Sequence, residues 1–132
     1  SRKRGQFVVT SSIAAKSGVP LSSAYAASKH AIHGFMRSVK SELPWLQVTL
    51  ACPGPVATDL YSSTSTKEDE MKMSVHRCAR LVASSIMMGG GETWIAQQPT
   101  LGFMYMSQYI PTLAQFILNK MGPMRVEMWK AG

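Results

Sequence analysis

A chain of 132 residues, 45% of them apolar, has the size and composition of one globular domain rather than a disordered tail or a repeat array. Its formal charge of +7 comes with no basic run longer than Arg2-Lys3-Arg4 and no interleaved aromatics, which excludes a nucleic-acid-binding stripe and leaves scattered surface cations. Cys52 and Cys78 lack metal-ligand spacing, so no metal site is expected and two free, buried thiols are the stronger reading.

The chain enters structure almost at once. Gln6 to Ser11 reads as a short buried strand around Phe7, Val8 and Val9, a run suited to a parallel sheet covered on both faces. Neither an initiating methionine nor a signal peptide precedes it, so a fragment or truncated product is expected. Ile13 to Leu21 is a loop broken by Gly18 and Pro20. Ser22 or Ser23 is placed to cap a helix running to about Leu43, with Ala24, Ala27, Ala31, Phe35 and Val39 near helical spacing.

Leu46 to Cys52 is a second strand, stopped by Pro53-Gly54-Pro55. Ala57 to Met73 is polar and irregular, with a capping pair at Ser65 and Glu68. Ser74 to Met88 reads as a helix with Val75, Cys78, Leu81, Val82 and Ser85 inward, ended by Gly89-Gly90-Gly91. That glycine run precedes a strand, Glu92 to Ala96, and so is no dinucleotide fingerprint, which follows a strand and opens a helix. Strand, helix, strand, helix, strand implies parallel pairing through right-handed crossovers.

From Thr100 to Met121 the chain is rich in methionine and aromatics, interrupted at Pro111. A spanning helix takes about 20 apolar residues. Gln108, Pro111, Gln115 and Asn119 argue against one. A pair of helices covering the domain or lining a lipophilic pocket is favoured over an interfacial membrane segment.

One stretch carries chemistry. Tyr25 and Lys29 stand four residues apart in an alanine-rich helical segment, hence on one face with Cβ atoms roughly 5–6 Å apart. A neighbouring ammonium favours the phenolate form and makes the hydroxyl a usable general acid or base. Ser12, at a strand end, is placed to hydrogen-bond the same substrate oxygen. A rival hydrolase triad of Ser12, His33 and Asp59 lacks a G-x-S-x-G elbow, and His33 lies about 12 Å along the helix from Tyr25. His30 and His76 read as ordinary surface or half-buried histidines.

Tyr25-Ala26-Ala27-Ser28-Lys29, the serine 13 positions before the tyrosine, and Pro53-Gly54-Pro55-Val56-Ala57-Thr58 after the next strand together resemble the short-chain dehydrogenase/reductase superfamily. A narrower resemblance to one branch rests on Lys29-His30-Ala31, Cys52 to Val56, Arg77-Cys78-Ala79-Arg80-Leu81, Trp94 to Pro99, and Asn119-Lys120-Met121-Gly122. It covers the carboxyl-terminal half of such an enzyme. The fold it implies is α/β: the carboxyl-terminal half of a Rossmann-like doubly wound parallel sheet, three strands alternating with helices and then a helical tail. Residues 1–99 would form a partial catalytic half-domain and residues 100–132 an apolar helical segment.

The resemblance also implies an activity: hydride transfer between NADP(H), with NAD(H) as the alternative, and a carbonyl or alcohol on a lipophilic substrate such as a retinoid or steroid. Tyr25 would exchange the proton, Lys29 would tune it and hold the nicotinamide ribose, and Ser12 would polarise the carbonyl. Pro53, Gly54, the backbone of Val56, and Thr58 would hold the nicotinamide side of the cofactor, with the following loop as a lid. Pairing of two copies through the tyrosine-bearing helix and residence at the endoplasmic reticulum membrane are implied in the same way. The family's glycine-rich turn, its cofactor-selecting residue and a structural asparagine have no counterpart in the 132 residues. The alternative is therefore a truncated, non-catalytic chain that binds partners through its exposed surfaces.

Overall fold

The computed structural model describes residues 4–58 and 72–131. In chain order these form β1 (Gly5–Thr10), a 3-10 helix (Ile13–Ala15), α1 (Ser23–Glu42), β2 (Leu46–Pro53), β3 (Val56–Ala57), β4 (Met73–Ser74), α2 (Val75–Met87), β5 (Glu92–Ile95), α3 (Thr100–Tyr109) and α4 (Pro111–Ala131). The main sheet has the order β1-β2-β5, with both pairings parallel. This is the α/β pattern expected from the sequence, followed by the helical tail.

β2 is the spine of the fold because alternate side chains leave a strand on opposite faces. Leu46, Val48, Leu50 and Cys52 pack on one side with Met36 of α1, joined by Ile32 and Val39. Ala51 meets Met73 and Ile95 in a second cluster, against which Cys78 and Val82 of α2 pack. Helices therefore cover both faces of this central strand, which explains its unbroken apolar run.

Burial departs from expectation at β1. Phe7 is 56% and Val8 39% exposed, so the strand is an edge rather than a buried element. Its one ladder is with β2, and among the described residues no layer covers its outer face. The inner face of α1 also differs: Ala26, His33 and Met36 are buried, whereas Ala24, Ala27, Ala31 and Phe35 are exposed. Alanines contribute little apolar area, so their spacing selects no face. The larger Ile32, Met36 and Val39 decide the rotation. On α2, Cys78, Val82 and Ser85 turn inward as expected, but Val75 and Leu81 are exposed.

Local chemistry fixes the boundaries. Ser22 precedes α1 without a side-chain capping bond. The Ser74 hydroxyl accepts from the Arg77 amide and caps α2. α2 ends where Gly89 takes φ +65°, the left-handed conformation glycine adopts without steric cost. Pro111 opens α4 at its first helical position instead of breaking one long helix. α3 and α4 pack together, with Met104 and Ala114 buried, and Trp94 of β5 meets Tyr105 at a ring-centroid distance of 5.1 Å. No helix among the described residues is long and apolar enough to cross a membrane. Both cysteines are free, Cys52 buried and Cys78 half-buried. The capping pair at Ser65 and Glu68, and the loop following Thr58, lie outside the described residues.

Candidate active site

The parallel strands β1 and β2 deliver two segments to one end of the sheet. Beyond Thr10, the Ser11 amide still donates to the Ala51 carbonyl at 2.7 Å, continuing the ladder by one bond. Ser12 is extended (φ −160°, ψ 158°), and its Oγ accepts from the Ala14 amide at 3.2 Å, capping the 3-10 helix. That bond uses an acceptor lone pair and leaves the hydroxyl hydrogen to donate elsewhere. The side chain is largely buried.

β2 ends at Pro53, and the Gly54 amide donates to the Ile95 carbonyl at 2.8 Å. A Cβ on Gly54 would stand 2.8 Å from Ala96 Cβ and 3.4 Å from Ile13 Cδ1, so only glycine fits this approach. The same contact places the Pro53-Gly54 turn against the segment carrying Ser12. Val56 lies in the short parallel β3–β4 ladder, paired with Met73, a pairing that the sequence did not signal. Thr58 follows it and is exposed.

Tyr25 and Lys29 share one face of α1. Lys29 Nζ stands 5.5 Å from the Tyr25 ring centroid, a cation–π distance, and Tyr25 is 49% exposed. The 3-10 helix after Ser12 packs against α1. The structure thus pairs Tyr25 with Lys29, and joins the Ser12 segment to Gly54. It makes no hydrogen bond between Ser12 and Tyr25; the Ser12 hydroxyl is engaged by Ala14.

Sequence reasoning missed a polar cluster beside these residues. His33, buried on α1, accepts or donates through Nε2 with Ser11 Oγ at 2.9 Å, and Cys52 Sγ lies 3.6 Å from the same nitrogen. His33 Nδ1 has no hydrogen-bond partner and faces Glu92 Oε2 at 3.7 Å. Glu92 in turn receives Lys16 at 2.8 Å, Arg37 at 2.8 Å and the Trp94 indole N–H at 2.7 Å. Burial alone would raise the Glu92 carboxyl. The hydrogen bonds from Lys16, Trp94 and Arg37 outweigh it and hold the group at about 2. Desolvation keeps His33 below the usual histidine range and pushes the Cys52 thiol up to about 12. The rival triad places His33 with Ser12 and Asp59. His33 bonds Ser11 instead, and Asp59 lies outside the described residues. The one local signal was the spacing of His33 and Arg37 at i and i+4 on one helix.

His33, Cys52 and Glu92 offer ligating atoms within 4.8 Å of one another. Lys16 and Arg37 already occupy the Glu92 carboxylate oxygens, so this carboxylate is committed to two cations rather than left open to a metal dication.

The family model of the short chain dehydrogenases matches residues 1–69. Human Dehydrogenase/reductase SDR family member 7 is 39% identical over 99% of this chain. The 11-beta-hydroxysteroid dehydrogenase-like 3 of Arabidopsis thaliana is 30% identical over 89% of it. The chain spans 42% and 40% of the lengths of these two curated relatives. Among solved structures, a short chain dehydrogenase from Burkholderia cenocepacia in complex with NADP superposes with a TM-score of 0.70 at 20% identity, covering 87% of this chain and 48% of that one. A short chain dehydrogenase/reductase from Burkholderia phymatum in complex with NAD gives 0.61 at 18% identity, covering 83% of this chain and 49% of that one. These structural likenesses establish a shared Rossmann-type fold, and with the matched family model they lead to one conclusion: the chain belongs to the short-chain dehydrogenase family.

Proposed function

We propose that the chain is the catalytic half of a nicotinamide-dependent oxidoreductase that reduces carbonyls, or oxidises the corresponding alcohols, on lipophilic substrates. The observation that carries this reading is the Lys29 ammonium stationed over Tyr25 on the helix against which the Ser12 segment packs. In this reading Tyr25 gives its proton to the substrate oxygen during reduction, with the Lys29 ammonium beside it on the same helix face. Ser12 donates its free hydroxyl hydrogen to the same oxygen, while the Ala14 amide holds the Ser12 oxygen in place.

The residues present fit the nicotinamide end of a dinucleotide. Gly54 packs without a Cβ against Ala96 beyond β5 and against Ile13, which sets the Pro53-Gly54 turn at the strand ends beside the Ser12 segment, and the exposed Thr58 follows that turn and Val56. The cofactor would supply the hydride, and Pro53, Gly54, Val56, Thr58 and Lys29 would hold it. NADP(H) is preferred with NAD(H) as the alternative; structural neighbours carry one or the other. Steroid-type substrates are supported by the name of the Arabidopsis relative, and lipophilic substrates more broadly, retinoids among them, by exposed apolar side chains along α3 and α4, among them Tyr109, Phe116, Met128 and Trp129. The same side chains support residence at a membrane surface, that of the endoplasmic reticulum in this reading. Phe35, exposed on the tyrosine-bearing helix, supports pairing of two copies there.

A second reading has its own support. β1 leaves Phe7 and Val8 exposed at an open sheet edge, which suits a chain that docks on a partner without turning over substrate. Incubating the chain with NADPH or NADH and a simple dicarbonyl, while following reduced-cofactor absorbance and cofactor binding, separates the two. Cofactor binding with turnover supports the oxidoreductase. Neither binding nor turnover overturns it for this chain and leaves the docking reading.

A further inference from the structure

The polar cluster reaches the Ser12 segment from both ends. Ser11, immediately before Ser12, is bonded through its hydroxyl to His33 Nε2 at 2.9 Å. Lys16, immediately after the 3-10 helix that Ser12 caps, is paired with Glu92 at 2.8 Å. Successive side chains of an extended segment point to opposite sides. Ser12 is extended, so tethering the Ser11 hydroxyl in the interior obliges the Ser12 side chain to face the other way, toward the Ala14 amide.

The hydrogen-bond inventory selects a protonation pattern. Ser11 Oγ carries a hydrogen to give to His33 Nε2, the Cys52 thiol donates to the Leu50 carbonyl at 3.6 Å, and a bare lone pair on Nδ1 would face the Glu92 carboxylate. Nε2 is then the acceptor, and the ring hydrogen sits on Nδ1, facing the Glu92 carboxylate at 3.7 Å. Glu92 is immobilised by Lys16, Arg37 and Trp94, so it offers His33 a fixed negative charge. Acid, imidazole and hydroxyl stand in the order that activates a nucleophile in hydrolases. Ser11, however, is only 4% exposed, and no substrate carbonyl can approach it.

We infer that His33 is a positioning residue: as the Nδ1–H tautomer set by Glu92, it accepts the Ser11 hydroxyl hydrogen and thereby fixes the orientation of Ser12. Its relevance to turnover rests on the oxidoreductase reading, but the geometry is tested without turnover. In the 15N-histidine-labelled chain at neutral pH, His33 shows a protonated Nδ1 and an unprotonated, hydrogen-bonded Nε2. Protonation at Nε2 overturns the inference.

The Ala14 amide, held by Ser12 Oγ, reports the Ser12 position by hydrogen exchange. In His33→Phe its protection falls about tenfold, the scale of one lost hydrogen bond, while β2 amides such as that of Val48 keep theirs. In His33→Gln, which retains an acceptor, protection returns toward the wild-type value. Ser11→Ala removes the tether with little change of volume and reproduces the loss even where His33→Phe does not fold. Unchanged Ala14 protection in Ser11→Ala overturns the inference. So does a cobalt-dependent thiolate absorption band lost in Cys52→Ser, which would make the cluster a metal centre. In turnover assays, His33→Phe lowers kcat with the cofactor KM unchanged, and His33→Gln restores it. A wild-type chain without turnover would remove the proposed function and leave the exchange and tautomer results to decide the role of His33.

Discussion

Lys29 Nζ stands 5.5 Å from the centroid of the Tyr25 ring, one helical turn along α1. The pair is local, set by four residues of helix, and it survives at a half-exposed position where a lysine could extend into solvent. An exposed cation–π contact is worth about 0.5–1 kcal/mol, enough to bias the ammonium toward the ring. Under the oxidoreductase reading, Lys29→Met lowers kcat by roughly 10²–10⁴, the span attributed to general acid–base help. Lys29→Arg keeps the charge but changes its shape, and lies between. Steady-state assays at matched cofactor saturation give the comparison; equal kcat for Lys29→Met and wild type counts against the role.

Gly54 is fixed by space. Its hypothetical Cβ meets Ala96 Cβ at 2.8 Å, a contact that no flexible side-chain end can relieve. Gly54→Ala is expected to destabilise the fold by about 1–3 kcal/mol, the usual range for overpacking. Adding Ala96→Gly should recover most of it, because it removes the opposing atom. Urea midpoints of the single and double variants measure the coupling, and additive effects would exclude the clash.

Acid should unfold the protein through Glu92. Its folded-state carboxyl lies near 2 against an ordinary 4.5, so its stabilisation is complete above about 4.5 and is lost as pH falls toward 2. The shift corresponds to roughly 3 kcal/mol, somewhat less because Arg37 is mostly solvated. His33 acts with the same sign: lowered from 6.5, it stays neutral while the unfolded chain takes up its proton, so stability also falls as pH drops below about 6.5. In Glu92→Gln the carboxylate contribution disappears. Urea titrations between neutrality and acid should therefore show a shallower pH slope for this variant, and parallel slopes would contradict the assignment.

The two thiols should differ in chemistry. Cys52 is fully buried with its thiol raised to about 12, so thiol reagents should modify it only on unfolding. Cys78 is half-buried, and burial also raises its thiol. Slow modification at Cys78 with protection at Cys52 is expected by mass spectrometry. The raised Cys52 adds stability that is whole below about 9 and declines as pH climbs toward 12. Modification of Cys52 at the Cys78 rate under native conditions would contradict its placement.

The order of elements was legible because its signals are local. Valine-rich runs, Pro44, Pro53-Gly54-Pro55 and Gly89-Gly90-Gly91 mark strands and stops within a few residues. The Tyr25–Lys29 pair was legible for the same reason. The β3–β4 ladder was not, since two-residue strands carry no periodicity. Nor was the face of α1, where alanines occur all round the helix. The His33–Glu92 cluster was the least accessible: Arg37 and Glu92 are 55 residues apart, and His33 and Ser11 are 22 apart, joined only once the sheet brings β1 and β5 to either side of β2. The burial of β1 failed because its apolar run describes a covered strand, while the described residues give it a neighbour on one side only.

Tyr25→Phe removes the hydroxyl while keeping the ring and its contact with Lys29. NADPH-dependent reduction of a lipophilic carbonyl should fall by at least about 10² in kcat, with cofactor binding retained. A Tyr25→Phe chain that reduces the carbonyl at the wild-type rate would contradict the account.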